Sequence, residues 1–376
     1  MNELTRRRFL QSSAAAAGAL LAGCGPEAPQ VSDDVLALHR DARVLDLHLD
    51  TLLSMRLLGY EIASRHTNRL PRSPISWHMD LPRAREGGLD GAVMGLVIGP
   101  REVREELMAP LRWLARLEDE RGIDQTLLTL DVLDKAAQRH ADEMRFCRSG
   151  SEMRAAMDEG RLAAFAGLEG SHGIESDLQN VHAAYQRGLR MIGLTHFQAS
   201  SAAYPMTVAA FDGRGLTPFG RDLVAEMERM GMVVDLAHVN EAGVEEALGL
   251  VTRPFVVSHT ACRALFDFRR NLSDAQIRAV AERGGVIGLC VARGFVGRPG
   301  VEGFVDHIEH AIRVGGVDCV AMGSDWDGAI VPVEGLGDVT GLPRVTQVML
   351  ERGHSETVIR KALGENALRV LTEVCG

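Results

Sequence analysis

A closed (β/α)8 barrel of the TIM type, an α/β fold, is what this 376-residue sequence predicts. Three features point to it. Eight short, nearly continuous apolar runs recur along the chain, amphipathic stretches of helical period separate most of them, and six of the runs end in His, Asp or Glu. Parallel strands covered on both faces read as unbroken apolar runs, and a set of eight favours closure over an open sheet.

The runs are Val44 to Asp50, Leu89 to Ile98, Ala163 to Glu169, Met191 to His196, Met232 to His238, Pro254 to His259, Gly285 to Val291 and Cys319 to Asp325. Asp222 to Arg229 and Asp274 to Arg283 are examples of the helical stretches between them. The long interval between Pro100 and Arg161 is expected to form a helical insertion between the second and third strands. No repeat of 20 to 50 residues is present, so residues 39–376 are expected to form one catalytic barrel.

The amino terminus reads differently. Thr5-Arg6-Arg7-Arg8-Phe9-Leu10 supplies a basic head, an Ala-rich apolar run follows, and Leu21-Ala22-Gly23-Cys24 closes it. These are the parts of an export signal. The paired arginines resemble a twin-arginine signal, and the last four residues resemble a bacterial lipobox, which implies lipidation of Cys24. The apolar stretch from Ala14 to Ala22 is too short to span a bilayer core of ~30 Å. Residues 1–24 are therefore expected to address the chain to an extracytoplasmic membrane surface, and residues 25–38 to tether it there.

A formal charge of -10 repels a phosphate backbone, and no basic stripe with interleaved aromatics surrounds Arg263, Arg269 and Arg270. Nucleic-acid binding is excluded on those grounds. After Cys24 the cysteines are Cys147, Cys262, Cys290, Cys319 and Cys375, an odd number with no C-x-x-C pair. A thiolate zinc site is not indicated, and buried small apolar side chains are expected instead.

The carboxyl ends of the runs carry the chemistry. They finish in His48-Leu49-Asp50, Leu168-Glu169-Gly170, Thr195-His196, Ala237-His238, Ser258-His259 and Ser324-Asp325. Side chains two apart on a strand share a face with backbones ~7 Å apart, so His48 and Asp50 can grip one ion together. Imidazole with carboxylate suits a divalent ion such as zinc. A carboxylate can bridge two ions, which makes Glu169 the natural link, with His238 and His259 completing a second ion. Two ions about 3.5 to 4 Å apart can share a hydroxide and polarise the group it attacks. A single buried His is more often a hydrogen-bonded core group than a ligand, but six such groups at one end of a barrel argue for a metal centre and for hydrolysis.

Other residues read as structural. Asp80 precedes Leu81-Pro82-Arg83-Ala84-Arg85 and is expected to cap that helix, while Asp327 is expected to serve the turn after the last strand. Asp235, three residues before His238, is expected to face away from it. His39, His140, His307, His310 and His354 lie in polar helical stretches and are expected to be solvated.

The sequence resembles the membrane (renal-type) dipeptidases of the amidohydrolase superfamily from Val44 to about Val370. The anchors are Asp46-Leu47-His48-Leu49-Asp50, Asp80-Leu81-Pro82-Arg83, Leu168-Glu169-Gly170, Leu194-Thr195-His196, Val234-Asp235-Leu236-Ala237-His238, Ser258-His259, Arg269-Arg270-Asn271 and Gly323-Ser324-Asp325-Trp326-Asp327-Gly328. The resemblance implies two zinc ions per chain, one held by His48, Asp50 and Glu169 and the other by Glu169, His238 and His259. It implies that His196 stabilises the oxyanion, that Arg270 binds the substrate carboxylate and that Asp325 handles the proton. Physical need agrees: a tetrahedral oxyanion needs a donor, a leaving amine needs a proton, and a guanidinium fork matches a carboxylate.

One departure from the family is local. Its members place Asn shortly after the histidine of the fourth strand, whereas Phe197-Gln198-Ala199-Ser200-Ser201-Ala202-Ala203-Tyr204 stands here. The expected activity is hydrolysis of dipeptides, including those with a D-residue at the carboxyl side, by a lipid-anchored enzyme of a family in which homodimers are common. Hydrolysis of N-acyl amino acids or β-lactams is the enzymatic alternative, and a non-catalytic metal-binding lipoprotein is the other.

Overall fold

The computed structural model describes residues 31–67, 77–98 and 121–376. The signal read in residues 1–24, with Cys24, lies outside the described residues. One compact unit runs from Ser32 to Gly376, so it begins within the 25–38 stretch. Its first helix, Asp33–Asp41, is capped by Ser32 and buries Val35 and His39. No helix among the described residues is long and apolar enough to cross a membrane.

Nine parallel strands follow: β1 Leu45–Leu49, β2 Gly91–Val97, β3 Met144–Cys147, β4 Leu162–Glu169, β5 Leu189–Gly193, β6 Val233–Asp235, β7 Val256–Thr260, β8 Val286–Leu289 and β9 Val320–Met322. Eight of them close a barrel in the order β1, β2, β4, β5, β6, β7, β8, β9, with β9 returning to β1. All eight coincide with the apolar runs of the sequence.

The extra strand is β3. Along one edge β4 pairs with β2 from Ala163 to Glu169. A strand has two edges, so β3 and β5 share the other, β3 over residues 162–165 and β5 over residues 166–168. The insertion therefore holds a strand as well as the helices Gly122–Arg139 and Gly150–Asp158. Four residues interrupted by Arg145 are too few to stand out as an apolar run.

Inside the barrel, Val93, Phe165, Met191, Val233, Val256, Val286 and Ala321 share one apolar cluster with Ala367, Leu368, Val370, Leu371 and Val374 of the helix Asn366–Cys375. Phe165, Gly167 and Glu169 alternate along β4, and a Cβ on Gly167 would meet Val93 and Met191 of its two neighbours. That face of β4 thus runs from packed core up to Glu169 at the rim. The outer helices begin on side-chain caps. Thr217 accepts from Gly220 N at 2.9 Å, and Ser273 forms a reciprocal capping box with Gln276. Asp80 caps Leu81–Gly87, its carboxylate accepting from Arg83 N at 2.9 Å and Arg83 Nε at 2.8 Å.

Three histidines expected in solvent are buried. His39 Nδ1 meets Thr346 Oγ1 at 2.7 Å and His39 Nε2 meets Gly87 O at 2.9 Å. On the helix Val301–Gly315, His307 joins Phe304 and Ile308 on the buried face, bonded to Cys262 N and Val296 O. His310, on the same face, meets Asp274 at 2.7 Å. Polar neighbours in sequence hid this stripe, because a buried His needs only two local partners to be satisfied. His140 and His354 stay partly exposed, beside Glu61 and Glu309.

Candidate metal centre

The rim of the barrel brings His48, Asp50, Glu169, His196, His238, His259 and Asp325 together. A register shift between Asp46 and Leu49 re-aims the end of β1. Asp50 follows at the N-cap position of helix Thr51–Leu58 yet makes no capping bond, which leaves its carboxylate for the rim. Glu169 ends β4 and His259 lies within β7. The others lie past their strands: His196 follows β5 by three residues, His238 follows β6 by three, and Asp325 follows β9 by three.

His238 and Asp325 hold left-handed backbone, with φ of 67° and 65°. A non-glycine residue there is strained by about 1 to 3 kcal/mol. Asp235 makes its hydrogen bonds to Ala237 N and to Ser258, not to His238. Strand β6 stops at Asp235, so its spacing to His238 obeys no strand alternation.

Glu169 is the hub. Its Oε1 lies 3.0 Å from His238 Nε2, 3.3 Å from His196 Nε2, 3.5 Å from His259 Nε2 and 3.6 Å from His48 Nε2. His48 Nε2 is also 3.3 Å from Asp50 Oδ1, and His238 Nε2 faces His259 Nε2 at 2.8 Å. Nearby glycines make the space. A Cβ on Gly95 would stand 2.3 Å from Asp50 Oδ1, and one on Gly328 would stand 2.3 Å from Asp325 Oδ1.

An outer hydrogen-bond relay fixes the ring of His259. Ser258 Oγ donates to Asp235 Oδ2 at 2.6 Å, so its oxygen accepts from His259 Nδ1 at 3.0 Å. The Nε2 of His259 therefore carries a lone pair aimed at the hub. Asp46 plays a matching part on the other side, accepting from His48 N at 2.9 Å and Ser324 N at 2.9 Å and so tying β1 to the loop of Asp325. Sequence reasoning gave neither Asp a role, although the Ser-His adjacency at 258–259 is the signal that could have found Asp235. Asp327 serves the turn, accepting from Thr51 Oγ1 and His78 N at 2.6 Å each.

Burial, with the Asp50 charge beside it, pushes Glu169 well above the carboxylate range. Burial and Asp50 likewise push Asp325 up to about 8, against the pull of His48. His48 would be lowered by burial, but Asp50 and Glu169 outweigh it and hold it well above its usual value. His238 and His259 are driven well below by burial and by neighbouring cationic groups, and His196 falls to about 3 by burial and the neighbouring His172. His196 is thus a neutral ring at ordinary pH.

Arg270 completes the site. It is buried, with Nη2 donating to His259 O at 3.2 Å, Nη1 set 3.7 Å from Met206 Sδ, and Nε without a partner. Phe295 lies under its guanidinium, 5.3 Å from ring centroid to carbon. Cys290 Sγ stands 3.8 Å from Asp325 Oδ2. Among the described residues the cysteines are free thiols, as expected, and four of the five are buried.

Divalent cations fit this donor set. Glu169 Oε2 is buried with no hydrogen-bond partner, and His48 Nε2 and Asp50 Oδ1 have no well-formed hydrogen bond beyond their own 3.3 Å approach; a buried polar group left unpaired costs about 1 to 3 kcal/mol. Three donor sets converge, each within 4.8 Å: His48, Asp50 and Glu169; Glu169, His196 and His238; His48, His259 and Asp325. Glu169 with His238 can thus be completed by either His196 or His259. His259 is the better donor, because Ser258 fixes its lone pair inward, whereas His196 is partly exposed.

The model of the membrane dipeptidase family, peptidase family M19, matches residues 32–375. The crystal structure of dipeptidase AC, a metallopeptidase of family M19, is 28% identical, covers 89% of this chain and 99% of its own, and superposes with a TM-score of 0.77. A metallopeptidase from Rhodobacter sphaeroides, liganded with a phosphinate mimic of the dipeptide L-Ala-D-Ala, is 28% identical with the same coverage and a TM-score of 0.76. The probable dipeptidase PvdM from Pseudomonas aeruginosa shares the fold at 21% identity, with a TM-score of 0.78 over 91% of this chain and 97% of its own.

Proposed function

The chain belongs to the membrane dipeptidase family, and from that premise we propose that it is a zinc-dependent dipeptidase that cleaves dipeptides, including those with a D-residue at the carboxyl side. The observation that supports this most is Glu169, whose Oε1 is met within 3.6 Å by ring nitrogens from four histidines on four different strands or strand ends. The D-residue reading is supported by the dipeptide mimic bound to the Rhodobacter sphaeroides relative.

In this reading His48, Asp50 and Glu169 hold one zinc, and Glu169, His238 and His259 hold the other. Two such ions supply an activated water nucleophile at neutral pH and polarise the scissile carbonyl. The protein's own groups do the rest. His196, neutral and beside Glu169, donates from its ring to the oxygen that gains charge, a contribution of about 3 kcal/mol in a dry site. Asp325, which cations bound beside it would keep ionised despite its burial, takes the proton of the attacking water on its carboxylate and returns it to the leaving nitrogen. Arg270, buried and short of partners, binds the free carboxylate that every dipeptide presents close to the scissile bond.

The test is a dipeptide library on zinc-loaded protein lacking residues 1–24, run beside N-acyl amino acids and β-lactams. Release of free amino acids from dipeptides, with about two zinc per chain, is the expected result. No release from any dipeptide overturns the proposal. We further propose that the enzyme is exported by a twin-arginine route and held outside the cytoplasm by lipid on Cys24. Cys24→Ala should then move it from the membrane fraction to the soluble one, and an unchanged distribution would refute the anchor.

A further inference from the structure

Among the described residues Phe197 is the most exposed large apolar side chain, at 59%. Yet it stands on the rim of the metal centre. Its ring centroid is 4.2 Å from that of His196 and 5.1 Å from that of His238, the latter edge-on at 84°. The backbone on both sides is pinned. Thr195 Oγ1 donates to Gln198 O at 2.6 Å, closing a turn around His196 and Phe197. Ser200 Oγ donates to Leu194 O at 2.6 Å and accepts from the N–H groups of Ala202 and Ala203 at 3.0 Å each. The fold thus holds an aromatic ring in water beside reactive groups, where a substrate can cover it.

Topology decides which part of a substrate meets it. In the ring of eight strands β5, which carries Phe197 on its following turn, lies opposite β9, which carries Asp325. Arg270 stands on the loop after β7. On the dipeptidase reading above, the leaving nitrogen points to Asp325 and the carboxylate to Arg270. The carboxyl-terminal residue then occupies the arc from β7 to β9. The residue that supplies the scissile carbonyl must extend the other way, over β4 and β5.

We propose that Phe197 forms the wall against which the side chain of the amino-terminal substrate residue packs, so that the enzyme prefers dipeptides beginning with a large apolar or aromatic residue. This rests on the dipeptidase reading and adds a specificity residue to it. The ring offers an offset or edge-on partner to an aromatic side chain and a flat apolar face to an aliphatic one.

The experiment is steady-state hydrolysis of Phe-Ala, Leu-Ala, Gly-Ala and Gly-Phe by the zinc-loaded protein and its Phe197→Ala and Phe197→Leu variants. The wild type should favour Phe-Ala and Leu-Ala over Gly-Ala in kcat/KM. Phe197→Ala should cut the Phe-Ala to Gly-Ala ratio roughly ten-fold, mainly through KM. Phe197→Leu should restore much of the Leu-Ala preference, which a merely structural role would not produce. An unchanged ratio, or a shift in the Gly-Phe to Gly-Ala ratio instead, overturns the inference while leaving the dipeptidase reading intact. Wild-type protein that cleaves none of the four overturns both.

Discussion

Asp235 reaches His259 through one hydroxyl, that of Ser258, which is 2.6 Å from the carboxylate and 3.0 Å from the ring. The direction of this relay fixes the tautomer of His259 without touching the metal centre itself. Ser258→Ala removes the acceptor for Nδ1–H and frees the ring to present the wrong nitrogen. Zinc affinity should fall roughly 10- to 100-fold, read by competition with a chelator. Asp235→Asn should move it the same way, and unchanged affinity in both variants would show that packing alone sets the ring.

Glu169→Gln tests the hub. An amide cannot supply two anionic oxygens, and its NH2 would donate to ring nitrogens whose lone pairs a cation needs. Both zinc content and turnover should be lost together, by elemental analysis and by amino-acid release. A variant that keeps two zinc ions would show that Glu169 is not shared between them.

The eight barrel strands were legible because apolar runs covered on both faces leave a clear mark in sequence, and the side chains that converge at the rim were legible because they follow those runs. Three things were not. The strand Met144–Cys147 is short and carries Arg145 at its middle. The relation of Asp235 to Ser258 depends on where β6 stops, and the left-handed turn at His238 that stops it leaves no mark in a His residue. The burial of His307 and His310 depends on which helix face meets the barrel, and their polar neighbours gave no hint of it.

Asp325→Asn separates proton handling from metal binding. Asn tolerates the left-handed backbone at this position, and the hydrogen bond from Asp325 N to His48 O is untouched. Metal content should be retained while kcat falls by roughly 10²- to 10⁴-fold. Turnover close to that of the wild type would remove the proton-transfer role.

Arg270→Met replaces a buried cation of similar reach with an apolar chain. A charge-assisted bond to a substrate carboxylate is worth about 1.5 to 3 kcal/mol, so the preference for a dipeptide over its carboxyl-terminal amide should shrink about 10- to 100-fold. Thermal stability should hold or rise, because the guanidinium is incompletely paired, its Nε having no partner. Falling stability with unchanged preference would mark Arg270 as structural.

Asp90 gives the pH dependence a sign away from the metal centre. Its carboxylate accepts from Val44 N at 2.8 Å, and burial pushes it up to about 6 against an unfolded value of 3.8. The folded state therefore keeps a proton that the unfolded state has already released, so stability is lost as pH rises from 3.8 towards 6 and the loss is complete above that. Two units correspond to at most about 3 kcal/mol. Asp90→Asn can still accept from Val44 N but cannot ionise. Relative to the wild type, its urea midpoint should climb between pH 3.8 and about pH 6 and then level off. A difference independent of pH would show that Asp90 ionises as freely in the folded chain as in the unfolded one.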